Sequence, residues 1–134
     1  MRKLSIALCG AFLTALPVKA QPPSGGGQVI LLGARWCAPC MAEWRDLAVL
    51  VAAAKPDQVV LAWVDRPIPP PPALAGQVAV MPHAQAQELA QRLGGEGFGL
   101  PMAAYVPAGQ RPCAPWRAPL RPKDLESLRK LCGR

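Results

Sequence analysis

The residues best suited to chemistry are two cysteines, Cys37 and Cys40, in the stretch GARWCAPC at 33–40. They follow an apolar run of strand length and open a stretch with helical periodicity. The first turn of a helix presents unpaired backbone N–H groups and the positive end of the helix dipole. A thiolate at Cys37 is stabilised there, so its pKa can fall from about 8.5 to roughly 3.5–7.5. The spacing predicts a redox-active disulfide, in which Cys37 attacks a partner sulfur and Cys40 resolves the mixed disulfide.

The residues between the cysteines bear on the direction of electron flow. Pro39 suits the first helical turn, where its missing N–H costs no hydrogen bond. Neither Ala38 nor Pro39 adds a cation beside the thiolate, and strong oxidants depend on extra stabilisation of their reduced form. We therefore expect a reductant or isomerisation helper that needs no bound cofactor.

Two other readings of the pair stay open. The thiolates are also suitable ligands, so the chain is alternatively a metal-handling or binding module. A structural zinc would need two further ligands, and Cys113 and Cys132 are not spaced as a second zinc knuckle, so no metal is assigned. An inactive domain kept for interactions is the third reading.

The first twenty residues predict export. Arg2 and Lys3 precede an apolar stretch at 4–18, and a small residue, Ala20, ends the segment, as in a cleaved signal peptide at 1–20. The apolar stretch has only 15 residues, too few to span a bilayer comfortably. We expect a periplasmic or other extracytoplasmic protein without stable membrane insertion after cleavage.

Composition limits what remains after cleavage. The remaining 114 residues suffice for one domain and carry twelve Lys and Arg against eight Asp and Glu. The basic residues are scattered along the chain and there is a single Tyr, which argues against nucleic-acid binding. Four cysteines remain, and an even number in an exported chain suggests pairing. A structural Cys113–Cys132 disulfide is one hypothesis, and two free buried thiols are the other.

The cysteine pair must be positioned by the elements around it. In chain order these are a flexible leader (21–27), a buried strand (28–34), a helix (38–54), a second strand (59–65), an irregular Pro-rich segment (66–82), a helix (83–93), a third strand (100–106), an edge strand or loop (111–120) and a last helix from Pro122. This order predicts an α/β fold: a small mixed sheet, βαβ then αββα, with helices on both faces.

Two stretches carry a family resemblance. RWCAPC at 35–40 resembles the Trp-Cys-x-Pro-Cys motif of the thioredoxin superfamily, and LGGEGFGLPMAAYVPAGQ at 93–110 is similar to its later Gly-x-Pro, strand and turn. Cys-x-x-Cys-x-x-Glu, ending at Glu43, looks most like the exported TlpA/ResA-type thiol–disulfide oxidoreductases. The resemblance implies a thioredoxin-like domain over 28–134.

The resemblance also implies roles and partners. Pro101, after Leu100, takes the place of a cis-proline that faces the disulfide, and Trp36 takes the aromatic position beside the nucleophile. The implied partners are protein substrates with thiols or disulfides, including apo-proteins awaiting haem or copper. A membrane thiol reductase is the implied electron donor.

The chain departs from thioredoxin in its proton chemistry. Leu31 stands where thioredoxin has a buried Asp beneath the second cysteine, and Arg45 replaces a helix-interior Pro. Glu43 is interpreted as a surface charge, which leaves the deprotonation of Cys40 without an assigned acceptor. The segment at 66–82 is expected to begin near Cys37, because parallel strands end at one sheet edge, and either shapes a partner groove or acts as a spacer.

Overall fold

A computed structural model describes residues 26–133. The signal peptide predicted at 1–20, and the leader up to residue 25, lie outside the described residues. The strands are β1 (Gln28–Gly33), β2 (Gln58–Trp63), β3 (Val78–Val80) and β4 (Met102–Val106). The helices are α1 (Ala38–Arg45), α2 (Leu47–Ala54), α3 (His83–Gly94) and α4 (Leu125–Lys130), with 3-10 turns at Pro72–Leu74, Pro122–Asp124 and Leu131–Gly133.

The four strands form one mixed sheet in the order β3-β2-β1-β4. The inner strand β1 is parallel to β2, with Gly33 opposite Trp63, and antiparallel to β4. Its residues alternate between two cores, as expected for a strand covered on both faces. The predicted fold class, α/β with a small mixed sheet between helices, is confirmed.

Each face of the sheet has its own apolar cluster. One cluster joins the sheet to α2 and α4 and includes Val29, Leu31, Leu47, Leu50, Leu125 and Leu128. The other joins it to α3 and includes Ile30, Leu32, Val60, Ala86, Leu89 and Met102. Burial of these side chains, at roughly 1.5–3 kcal/mol each, is the main force that holds the helices against the strands.

The helix predicted over 38–54 is two helices that meet at Asp46. The Asp46 N–H donates to the Glu43 carbonyl, three residues back, at 3.1 Å, which tightens the turn and ends α1. Asp is a poor residue for a helix interior, and Asp46 caps both helices. Apolar residues keep their helical spacing across Asp46, so this spacing gave no sign that the helix breaks there.

The segment at 66–82 is more regular than the sequence predicts. It contains a 3-10 turn and the edge strand β3, whose three residues are too few for an alternating pattern to show. The second half of the domain is therefore β-α-β-α in order, not αββα. The segment at 111–120 forms a single β-bridge to β4, by two hydrogen bonds between Trp116 and Ala103, and one further hydrogen bond from the Cys113 N–H to Tyr105, because its prolines lack ladder N–H groups.

Residues just before the strand predicted from residue 28 already pack against the domain. Gly27, placed by the sequence in the flexible leader, is buried, and its N–H donates to the Asp57 carboxylate at 2.8 Å. A Cβ on Gly26 would lie 2.4 Å from the Pro56 carbonyl oxygen, so only glycine allows the chain to pass there. Over residues 26–133, no helix combines the length and the apolar character needed to cross a bilayer.

Candidate active site

The two cysteines lie at the point where β1 passes into α1. Cys37 is the N-cap of the helix, and the Cys40 N–H donates to its sulfur over an N–Sγ distance of 3.3 Å. A disulfide joins the pair, with an S–S length of 2.07 Å and Cα atoms 5.3 Å apart. The N–H that contacts Cys37 Sγ, together with the helix dipole, would favour a thiolate there after reduction.

The pair is enclosed by apolar residues. Cys37 and Cys40 are 4% and 5% exposed, and they pack with Ala34 against Val64 and Leu100. The peptide bond from Leu100 to Pro101 is cis. The structure therefore brings the segment before β4 against the disulfide, whereas Ala38 and Pro39 are exposed.

A small cavity lies behind Cys40. Its volume is about 20 Å³, and its lining consists of Leu31, Leu32, Gly33, Cys40, Glu43, Trp44, Leu47, Leu61 and Trp63. A Cβ on Gly33 would lie 3.2 Å from Cys40 Cβ, so glycine at this end of β1 lets the cysteine approach the strand. The buried Trp63 Nε1 has no hydrogen-bond partner among the described residues. The space is large enough for one water, and Trp63, Glu43 and Cys40 provide polar atoms around it.

Glu43 is not the surface charge that the sequence suggested. It is partly buried, and its carboxylate accepts a hydrogen bond from the Leu120 N–H at 2.7 Å. Burial raises the pKa of Glu43 from 4.5 to about 7, and the Leu120 hydrogen bond opposes that rise. The carboxyl is therefore divided between its neutral and ionised forms near neutral pH, which suits a group that exchanges a proton.

Glu43 also reaches a second space on the outer side of α1. This groove of about 240 Å³ is lined by Pro39, Ala42, Glu43, Asp46, Leu50 and residues 119–122. The same carboxyl residue thus borders both the cavity behind Cys40 and a groove open to solvent. The segment at 111–120, through Leu120, supplies the contact that holds Glu43 between them.

The exposed side of the site is formed by Trp36. The sequence leaves this residue either packed beside the nucleophile or in the core, but its side chain is 72% exposed. The Arg35 N–H donates to the Asp65 carboxylate at 2.8 Å, which ties the turn before Cys37 to the end of β2. The start of the Pro-rich segment is thus beside the site, although none of residues 66–82 lines the cavities or grooves around the cysteines.

His83 lies exposed at the start of α3. Its Nδ1 donates to the Trp63 carbonyl oxygen at 3.2 Å. This contact attaches the helix to the strand end that borders the cavity. Within residues 26–133, His83 shares no apolar cluster, hydrogen bond or ion pair with the cysteines.

The remaining cysteines stabilise the opposite part of the domain. Cys113 and Cys132 form a disulfide with an S–S length of 1.99 Å. Cys132 is exposed in the 3-10 turn that follows the last helix. The bridge attaches the end of the chain to the segment beside β4, where the Cys113 N–H donates to the Tyr105 carbonyl.

A buried ionic network lies at the sheet edge opposite Cys37. Asp57 is 8% exposed and accepts hydrogen bonds from Gly27, from the Tyr105 hydroxyl and, at 2.6 Å, from Arg129 Nη2. Arg129 also donates to the Ala54 carbonyl oxygen at 3.1 Å. These contacts join α4, β4 and the start of the domain, so the network is structural and separate from the cysteine site.

Metal ligation was the main alternative to redox chemistry. Within residues 26–133, no three His, Cys, Asp or Glu side chains are grouped so that they could hold a metal ion.

Three comparisons with known proteins were made. No family model matches the chain, and a search of curated protein sequences finds no match. Among solved structures, the chain is similar to tryparedoxin I from Leishmania major, with 19% identity, a TM-score of 0.49 and 68% of each chain covered. The case for an active site is made by the chain's own geometry: a disulfide at a helix start, Leu100 packed against it and a partly buried carboxyl behind it.

Proposed function

We propose that this protein is an exported thiol–disulfide oxidoreductase that reduces disulfides in protein partners through Cys37 and Cys40. The observation that carries the proposal is the Cys37–Cys40 disulfide at the start of α1, with the Cys40 N–H directed at Cys37 Sγ. Export is supported by the signal-like sequence at 1–20, and the likeness to TlpA/ResA-type proteins by the Cys-x-x-Cys-x-x-Glu pattern.

The reaction begins from the dithiol form. The Cys37 thiolate attacks one sulfur of a partner disulfide, a new S–S bond forms, and the other partner sulfur leaves as a thiolate. Cys40 then loses its proton and attacks Cys37 Sγ, which forms the Cys37–Cys40 disulfide and releases the second partner thiolate. Two electrons pass from the protein to the partner, and a membrane thiol reductase restores the dithiol.

Glu43 is the proton acceptor for Cys40 in this proposal. Both residues border the cavity of about 20 Å³, across which one water can pass the proton. Glu43 also borders the outer groove, so its proton has a path to solvent. Since Leu31 removes the acid that thioredoxin places beneath this cysteine, Glu43 supplies the carboxyl from the helix instead.

Trapping tests the division of roles between the cysteines. Cys40→Ser is expected to accumulate mixed disulfides with partners, because the resolving thiol is missing, whereas Cys37→Ser is expected to accumulate none. The adducts are measured by non-reducing electrophoresis and mass spectrometry after acid quenching. Adducts in the Cys37→Ser variant alone would reverse the assignment of the two cysteines. If neither variant forms adducts and the unmodified protein does not reduce insulin, the proposed function is contradicted.

The redox potential tests the direction. With no cation between the cysteines, we expect a potential below about −200 mV, in the range of reductants, measured by equilibration with glutathione. A value near −120 mV, typical of a strong oxidant, would overturn the reducing direction while leaving the thiol–disulfide chemistry intact.

A further inference from the structure

A shallow groove begins at the residues on either side of Cys37. Its lining consists of Arg35, Trp36, Ala38, Met41, Trp44 and Arg45, and its volume is about 430 Å³. The groove includes an unusually exposed aromatic side chain, since Trp36 is 72% exposed. Large aromatic side chains beside arginines are the residue types that dominate binding energy at protein interfaces.

The groove carries positive charge that the domain leaves uncompensated. Among residues 26–133, neither Arg35 nor Arg45 has a carboxylate within ion-pair distance. No acidic residue lines the groove: Glu43 and Asp46 line the groove on the other side of α1. The Asp65 carboxylate accepts a hydrogen bond from the Arg35 backbone N–H at 2.8 Å but forms no ion pair with the Arg35 side chain. Two arginines without an acidic partner thus line the groove that includes the exposed Trp36.

We propose that this groove docks an acidic segment of the partner protein, with carboxylates beside the partner cysteine contacting Arg35 and Arg45 and an apolar side chain against Trp36. The inference rests on the proposed function, because the segment must present its sulfur to Cys37. Charge complementarity selects the acidic segment: guanidinium groups pair with carboxylates through two parallel hydrogen bonds and repel lysine or arginine in the same place.

The size of the preference follows from ordinary exposed ion pairs. Each such pair changes an equilibrium by a factor of roughly 1.4 to 5, and two pairs with an acidic partner are replaced by two repulsions with a basic one. We therefore expect an acidic segment to react about tenfold faster than a basic one at low salt. Added salt screens exposed charges, so the ratio falls as the ionic strength rises.

The test uses three synthetic peptides of one length, each with its cysteine joined to the neutral leaving group 2-thiopyridine. The cysteine is flanked by two Asp, two Asn or two Lys residues. The reduced protein converts each peptide disulfide to a peptide thiol and thiopyridone, with formation of the Cys37–Cys40 disulfide, and thiopyridone absorbance gives the rate. Rates are normalised to the Asn peptide, because removing an arginine near Cys37 also changes the thiolate itself.

The variant Arg35→Gln/Arg45→Gln is expected to bring the Asp-to-Lys rate ratio from about ten to near one. The matched control, Arg92→Gln/Arg111→Gln, removes two exposed arginines outside the groove and is expected to keep the ratio. Equal rates for the Asp and Lys peptides in the unmodified protein, or a ratio that survives in both variants, would overturn the docking proposal.

Two further outcomes are distinguishable. If the unmodified protein reduces none of the peptides and not even the neutral hydroxyethyl disulfide, the proposed function fails and the docking proposal with it. If the peptides show no charge preference, but binding to anionic phosphatidylglycerol vesicles is lost in Arg35→Gln/Arg45→Gln, the groove takes a lipid surface instead. That result also overturns the proposal.

Discussion

Replacing Glu43 by glutamine tests whether the carboxyl behind Cys40 is buried as the structure shows. The Glu43 pKa is raised to about 7 by burial, against 4.5 in an unfolded chain. Between these two pH values the folded protein holds the Glu43 proton and the unfolded chain does not. The free energy of unfolding therefore falls as the pH rises through this window, and the full penalty is present above the folded pKa.

The magnitude follows from the pKa. Each pKa unit corresponds to about 1.4 kcal/mol, so ionisation of the buried Glu43 carboxyl lowers the free energy of unfolding by roughly 3 kcal/mol above pH 7. Because Glu43 is partly exposed, the expected loss is about 2 kcal/mol. Glu43→Gln keeps an oxygen for the Leu120 N–H and does not titrate. Its stability relative to the unmodified protein is expected to improve by about 2–3 kcal/mol between roughly pH 4 and pH 8.

Denaturant unfolding of the oxidised protein, followed by tryptophan fluorescence at several pH values, measures this difference. Glu96→Gln, which removes a carboxylate from an exposed position after α3, controls for the loss of one charge. A stability difference for Glu43→Gln that stays constant across the pH range, or that matches the control, would refute the buried carboxyl. In the reduced protein the same variant should slow release of the second partner thiol more than capture of the partner, measured by rapid quenching.

Three further predictions concern stability and use denaturant unfolding. Asp57→Asn removes the charge that pairs with Arg129 at 2.6 Å and is expected to lower the free energy of unfolding by about 3 kcal/mol. Arg129→Lys, tested separately, is expected to cause part of this loss. Lysine lacks the forked guanidinium that reaches both Asp57 and a backbone carbonyl. Cys113→Ser/Cys132→Ser opens a loop with a sequence separation of 19 and is expected to cost about 3 kcal/mol without loss of the redox disulfide. Leu128→Ala, at a position that is 0% exposed, is expected to cost about 2–5 kcal/mol. Losses under about 0.5 kcal/mol would contradict each assignment, because that is the range of ordinary surface substitutions.

The carboxyl behind Cys40 shows where reading along the chain was misleading. Glu43 follows Cys40 by three residues, and residues at that spacing lie on the same side of a helix, so the sequence already placed the two together. What it did not contain was the covering segment: Leu120, from a different part of the chain, packs over the helix and donates to the carboxylate. Burial, and hence the raised pKa of Glu43, depends on that long-range contact.

The sequence by itself determined the elements whose signals are local. The apolar runs specify β1 and β2, the two-residue gap between Cys37 and Cys40 specifies a disulfide at a helix start, and the prolines at 111–120 exclude a regular strand there. Tertiary structure alone decided the rest. The pairing of β3 with β2, the exposure of Trp36 and the cavity shared by Cys40, Glu43 and Trp63 each depend on which distant residues lie beside these positions and which positions are left open. Hydrophobic periodicity indicates that a residue is buried but not which residues bury it. The chemistry of this site depends on those residues.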